Sequence, residues 1–158
     1  MSKKLVVTDY NFPDLIHEEA AASSENAEFH AVDSNRKESI LAVLADADVA
    51  LVQFATIGAQ EMRGLRPGAT LIRYGVGYDN IDVSAAKEQG IKVAYVPDYC
   101  ADEVADHTVA MLLSACRKTL SLDTSTRSGK WSPVEQAGTI RPLNEVTLGF
   151  LGFGRIGS

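Results

Sequence analysis

The chain has 158 residues and a mass of 17.0 kDa, room for one domain or one and a fraction, so two complete large domains are excluded. With 46% hydrophobic and 23% charged residues it has the composition of an ordinary globular protein, which argues against a disordered or fibrous chain. A formal net charge of -6 would repel a nucleic-acid backbone on average, so no nucleic-acid partner is expected.

Apolar, β-branched runs recur along the first hundred residues with helical stretches between them, the pattern of βα units around a parallel sheet. The strands read from the sequence are Lys4–Thr8, Glu28–Val32, Val49–Phe54, Thr70–Tyr74 and Lys92–Val96. The intervening helices are Pro13–Ala22, Arg36–Ala47, Ala59–Leu65 and Val83–Gln89, with Gly90 as a residue just past a helix end. Five such units predict an α/β fold of flavodoxin-like type ending near Pro97.

A long amphipathic helix is predicted over Ala101–Leu122, with Val104, Thr108, Met111, Leu112, Ala115 and Leu120 on one buried face. Asp102 and Glu103 near its start and Arg117 and Lys118 towards its end suit the helix dipole. Residues 128–144, punctuated by Gly129, Pro133, Gly138 and Pro142, read as a surface loop in which Trp131 is a packing residue. A strand over Val146–Leu151 then runs into Gly152-Phe153-Gly154-Arg155-Ile156-Gly157, which should open a helix.

That last stretch has the G-x-G-x-x-G spacing of a dinucleotide-binding turn. Gly152 would permit the tight turn, Gly154 the close approach of a pyrophosphate, and Gly157 the packing of helix on sheet. The alternative is a glycine-rich tail with no ligand. A second cluster, Gly75-Val76-Gly77, follows the fourth strand, where successive N–H groups can form an anion-binding nest. By itself it reads as a plain turn at a strand end.

Other candidates are weaker. Arg117, Lys118, Arg127 and Lys130 around Asp123 read as a solvated helix face rather than a nucleic-acid patch. His17 and His30 fall in a helix and a strand, and His107 lies one turn after Glu103, a spacing typical of surface pairs. Cys100 and Cys116, at or in one predicted helix, would stand roughly 24 Å apart and remain free thiols. No C-x-x-C or paired-histidine spacing offers a metal site. The start Met1-Ser2-Lys3-Lys4 lacks a signal-peptide core, and no apolar run reaches the ~20 residues of a membrane span. A cytoplasmic location is the expectation.

Three ordered segments then coincide: Arg73-Tyr74-Gly75-Val76-Gly77-Tyr78-Asp79-Asn80-Ile81-Asp82, the run from Val96-Pro97-Asp98-Tyr99-Cys100 to His107-Thr108, and Leu151-Gly152-Phe153-Gly154-Arg155-Ile156-Gly157. Together they resemble the D-isomer-specific 2-hydroxyacid dehydrogenases, nearest to the phosphoglycerate-dehydrogenase-like and C-terminal-binding-protein-like branch. The likeness runs along the whole chain but corresponds to about the N-terminal half of a family member, so a fragment is expected.

The resemblance implies that residues 1–99 are the first part of a split substrate domain and residues 100–158 the beginning of a Rossmann NAD-binding domain. It implies that the Val76 and Gly77 amides hold a substrate carboxylate and that Tyr99 lines the cleft. Val104 would meet the nicotinamide end of NAD, and Gly152, Gly154, Arg155, Ile156 and Gly157 would cradle the pyrophosphate. NADP is left open, because the ribose-reading position lies downstream.

The implied reaction passes a hydride between NAD(H) and a small 2-hydroxy or 2-keto acid, in a protein that is a homodimer when complete. The family's arginine, carboxylate and histidine fall after the glycine turn, so no catalytic residue is expected within the chain, and the chain alone should be inactive. Two other readings stand beside the enzyme: an NAD(H)-sensing binding protein of corepressor type, and a non-catalytic truncated product.

Overall fold

The computed structural model describes residues 2–32 and 39–158. They form two compact units, Met1–Tyr99 and Cys100–Ser158.

The first unit is a five-stranded, all-parallel sheet. Its strands are β1 (Lys4–Val7), β2 (Glu28–Ala31), β3 (Val49–Val52), β4 (Thr70–Arg73) and β5 (Lys92–Tyr95). Their order is β2-β1-β3-β4-β5, the flavodoxin-like arrangement expected from the sequence. All the expected strands are present, each shortened by one or two residues where the chain leaves the ladder for a loop. Between them run α1 (Ile16–Ser24), α2 (Ile40–Val43), α3 (Ala59–Met62) and α4 (Val83–Glu88). Residues 36–38 of the helix expected over Arg36–Ala47 lie outside the described residues.

Alternation along the strands divides the core. Val6, Ala50, Val52 and Leu71 face one way, onto Val43 and Leu44 of the α2 segment, Met62 of α3, and Ala85 and Ala86 of α4. Val7 and Leu51 face the other way, against Leu15 at the start of α1 and a ring of half-buried side chains that includes Phe29, Ile72 and Tyr74. Local signals set the helix ends: the Asp82 carboxylate caps α4 by accepting from Ala85 N at 2.9 Å. Gly90, at φ +70°, closes α4, with Gly90 N donating to Lys87 O and Ile91 N to Ala86 O, as in a Schellman turn.

The second unit differs from the sequence reading. The single helix expected over Ala101–Leu122 is two helices, α5 (Ala101–Arg117) and α6 (Thr119–Arg127), broken at Lys118, whose φ of +58° is left-handed. Its expected buried face is not buried: no residue of α5 is, and Val104, Met111 and Leu120 are exposed. The physical reason is that no sheet lies among residues 100–158 for that face to cover.

Within the expected loop, Pro133–Ala137 form α7 and Leu143–Glu145 a short 3-10 turn. Pro133 opens α7, where its missing N–H costs nothing. Trp131 is 82% exposed, so it is not a packing residue here. Residues 146–151 are not a strand either, since this unit offers no other strand for them to join. Arg155–Gly157 make one turn rather than the start of a helix, as expected when one turn fixes several dihedrals for a single hydrogen bond.

Candidate functional site

Parallel strands all end on one edge, so the loops after β1, β3, β4 and β5 gather there, and open α/β sheets bind ligands outside that edge. Asp9, two residues past β1, organises the loop after β3. Its carboxylate accepts backbone N–H groups from Gln53 at 3.1 Å, Phe54, and Ala55 at 3.2 Å, and a hydroxyl from Thr8 at 2.7 Å. Gln53, 7% exposed, is engaged at both ends by Asn11: Oε1 accepts from Asn11 N at 2.8 Å and Nε2 donates to Asn11 Oδ1 at 2.6 Å.

Asn80 fastens the loop after β4 to the same place. Its Nδ2 donates to Ala55 O at 2.8 Å, its carbonyl accepts from Ile57 N at 2.8 Å, and Asp82 N donates to Ile57 O at 2.9 Å. Arg73 Nε donates to Asn80 Oδ1 at 3.2 Å, and its Nη1 donates to the carbonyl of Tyr74.

Between these fastenings lies the Gly75-Val76-Gly77 turn. Gly75 is buried at φ +142°, a backbone conformation that side chains rarely adopt, and a Cβ there would come within 2.9 Å of Arg73 Nη1, so Arg73 would have to shift. Its N–H donates to Arg73 O and its carbonyl accepts from Val96 N. Among the described residues the N–H groups of Val76 and Gly77 meet no acceptor. Two neighbouring donors thus stand at the ligand-binding edge of the sheet.

A cleft of about 320 Å³ opens beside the turn, lined by Phe12, Gln53, Tyr74, Gly75, Val96 and Tyr99. Phe12 and Tyr74 meet edge to face, ring centroids 5.1 Å apart at 80°. The Tyr74 hydroxyl donates to Glu18 Oε1 at 2.8 Å. Burial first, and then the neighbouring Glu18 carboxylate, push the Tyr74 phenol above its ordinary range. A smaller cleft of about 250 Å³ lies by Phe54, Arg73, Gly77, Asp79 and Asn80.

The structure therefore brings Gly77, of the expected substrate-binding residues, and Tyr99 to the same edge of the first unit, each lining a cleft, with Val76 on the turn between. Sequence reasoning passed over Asp9, Asn11, Phe12, Gln53 and Asn80. Their shared signal was position, in the loops after β1, β3 and β4 on the ligand-binding edge, and Asn80 stands besides in the segment that carried the resemblance.

In the second unit, Val104 sits in the first turn of α5, and Arg155, Ile156 and Gly157 form one turn just after Gly152 and Gly154. Gly152 has φ +95°; a Cβ on Gly157 would lie 2.8 Å from the Gly152 carbonyl; one on Gly154 would meet nothing. His17 and His107 are exposed on α1 and α5, and His30 is on β2 at the sheet's outer edge. Cys100 and Cys116 are free thiols. No group of three or more His, Cys, Asp or Glu among the described residues could hold a metal, and no helix among them is long and apolar enough to cross a membrane.

Residues 6–148 match the family model for the D-isomer specific 2-hydroxyacid dehydrogenase catalytic domain. The chain belongs to this family. It is 35% identical over 138 residues to a D-3-phosphoglycerate dehydrogenase of Mycobacterium tuberculosis, covering 87% of this chain and 26% of that one. It is 33% identical over 141 residues to a hydroxypyruvate reductase of Thermotoga maritima, covering 89% of this chain and 43% of that one. In fold it is similar to a D-lactate dehydrogenase of Aquifex aeolicus crystallised with NAD and lactic acid, with a TM-score of 0.82 at 24% identity over 98% of this chain and 46% of that one. The chain thus spans between about a quarter and a half of the length of these dehydrogenases.

Proposed function

We propose that these residues are the first part of an NAD-dependent oxidoreductase acting on the CH–OH group of a small D-2-hydroxy acid, or in reverse on the matching 2-keto acid. The observation that carries this reading is the pair of N–H groups at Val76 and Gly77, which meet no acceptor among the described residues and stand on the ligand-binding edge next to a cleft. Two adjacent donors suit the two oxygens of a carboxylate. The substrate carboxylate accepts from Val76 and Gly77, and Tyr99 lines the wall beside it.

Residues 1–99 are then the N-terminal part of the substrate domain and residues 100–158 the beginning of the NAD-binding domain. The glycine turn fits a dinucleotide: Gly152 at φ +95° makes the bend, Gly157 has no room for a side chain, and the space beside Gly154 is open to a pyrophosphate. Gly152, Gly154, Arg155, Ile156 and Gly157 would hold that pyrophosphate, and Val104 would lie at the nicotinamide end. When bound, NAD supplies or accepts the hydride. The remaining work of the turn is to fix its position. NADP is left open.

No residue of this chain is given the proton-transfer role. Arg73 is committed to Asn80 and the Tyr74 carbonyl, and His107 is exposed on α5. General acid–base catalysis needs groups within hydrogen-bond reach of the substrate, and the reading places them beyond Ser158. It also makes the complete protein a cytoplasmic homodimer with neither a nucleic-acid nor a membrane partner.

The test is NADH oxidation by the natural polypeptide carrying these residues, supplied with a panel of 2-keto acids. Turnover is expected from that polypeptide and none from residues 1–158 alone. NADH binding without turnover on any 2-keto acid would overturn the enzyme reading in favour of nucleotide sensing. Turnover by residues 1–158 would overturn the placement of the acid–base groups.

A further inference from the structure

The cleft beside Gly75 has a chemical character that narrows the acid it takes. Among the described residues six line it, and none of these is charged. Three polar side chains line it, Gln53, Tyr74 and Tyr99, and two of them are held by bonds to other residues. Both ends of the Gln53 amide are taken by Asn11, and the Tyr74 hydroxyl is given to Glu18. Beside them stand the Phe12 ring, which meets Tyr74 edge to face, and Val96.

Arg73 lines the smaller cleft instead, where it is bonded to Asn80 and shares the lining with Asp79. A phosphorylated side chain placed in the larger cleft would lose its hydration without gaining a guanidinium or ammonium from the described residues that line it. An apolar side chain would leave water at no polar cost.

We infer, building on the dehydrogenase reading, that this half of the protein selects 2-keto acids with a bulky apolar side chain, branched aliphatic or aromatic. The carboxylate lies on the Val76 and Gly77 amides, and the side chain lies in the cleft against Phe12, Tyr74 and Tyr99. The volume of about 320 Å³ falls at the lower end of the range of about 300–1,000 Å³ for small-molecule pockets, enough for such a group. The aromatic pair is set in advance, because the Tyr74 hydroxyl bond to Glu18 fixes the ring on which Phe12 rests.

The experiment compares kcat/KM of the complete polypeptide with NADH for phenylpyruvate, 4-methyl-2-oxopentanoate, glyoxylate and 3-phosphohydroxypyruvate. The two apolar acids are expected to exceed the other two by about tenfold or more, the scale on which apolar pockets discriminate. Phe12→Ser and, independently, Tyr99→Ser are each expected to lower the ratio of kcat/KM for phenylpyruvate to that for glyoxylate by about tenfold. Tyr99 is 63% exposed, so its replacement tests the cleft without threatening the fold.

Preference for glyoxylate or for 3-phosphohydroxypyruvate would overturn the inference and leave the dehydrogenase reading intact. A ratio unchanged in both variants would overturn the assignment of this cleft. Absence of turnover with all four acids would instead overturn the dehydrogenase reading, and the inference with it.

Discussion

Tyr74 joins α1 to the carboxyl edge of the sheet through one hydroxyl, given to Glu18 at 2.8 Å. Because burial and that carboxylate raise its pKa, the folded chain holds the phenolic proton more tightly than the unfolded chain, whose tyrosines ionise near pH 10. The contribution is fully present below about pH 10 and is lost as pH rises towards the folded value. Urea unfolding should find Tyr74→Phe about 1 kcal/mol less stable than the natural chain at pH 7, with the gap constant to about pH 9 and narrowing above about pH 10. A gap that stays level into strong alkali would refute the account. At this scale Gly75-Val76-Gly77 was legible as a glycine turn after an apolar run, which by its own residues read as a plain turn at a strand end. Asp9 was not legible, because an aspartate past a strand looks like any loop acid until the loop after β3 folds over it and donates three amides.

Elements were legible where two independent signals agreed. The strand runs read in the first unit each held a β-branched residue and were followed by a helical stretch, and α4 carried Gly90 just past its end; the structure adds Asp82 as the cap at its start. The cap makes α4 a quantitative test. Asp82→Ala should cost about 1 kcal/mol, read as a lower urea midpoint with an unchanged slope, while Asp82→Asn should restore most of it because the amide oxygen still accepts from Ala85 N. An alanine variant as stable as the natural chain would show that packing of Ala85 and Ala86 alone fixes this helix. Where one signal stood alone the reading failed. The apolar spacing from Val104 to Leu120 lengthened to five residues between Ala115 and Leu120, across Lys118, but that step alone did not foretell a left-handed residue there. The run Val146–Leu151 had strand composition, but a strand is made by its partner, and a partner is not a property of six residues.

The two units differ in what holds them together. Every buried apolar side chain among the described residues belongs to the first unit, and the only buried residue of the second is Ser125. Ordering a residue costs on the order of 1–2 kcal/mol of backbone entropy, so a unit that buries no apolar side chain cannot offset that cost from its own contacts. Its exposed side chains, Met111, Leu120, Phe150 and Phe153 among them, form surface of the kind that proteins cover. Within the 158-residue chain, limited proteolysis should therefore cut first between residues 100 and 158 and leave a resistant core of about the first hundred residues. Amide exchange should be slowest in β1, β3 and β4, and a dye for exposed apolar surface should bind the chain and lose its signal when residues 100–158 are removed. In a polypeptide of the length of the dehydrogenases this chain matches, the same residues should become protected, because the apolar face of α5 would then have more chain to cover it. Equal protection of both units in the 158-residue chain, with no dye bound, would mean that the second unit is stabilised by something other than burial, and the argument from its exposed side chains would fail.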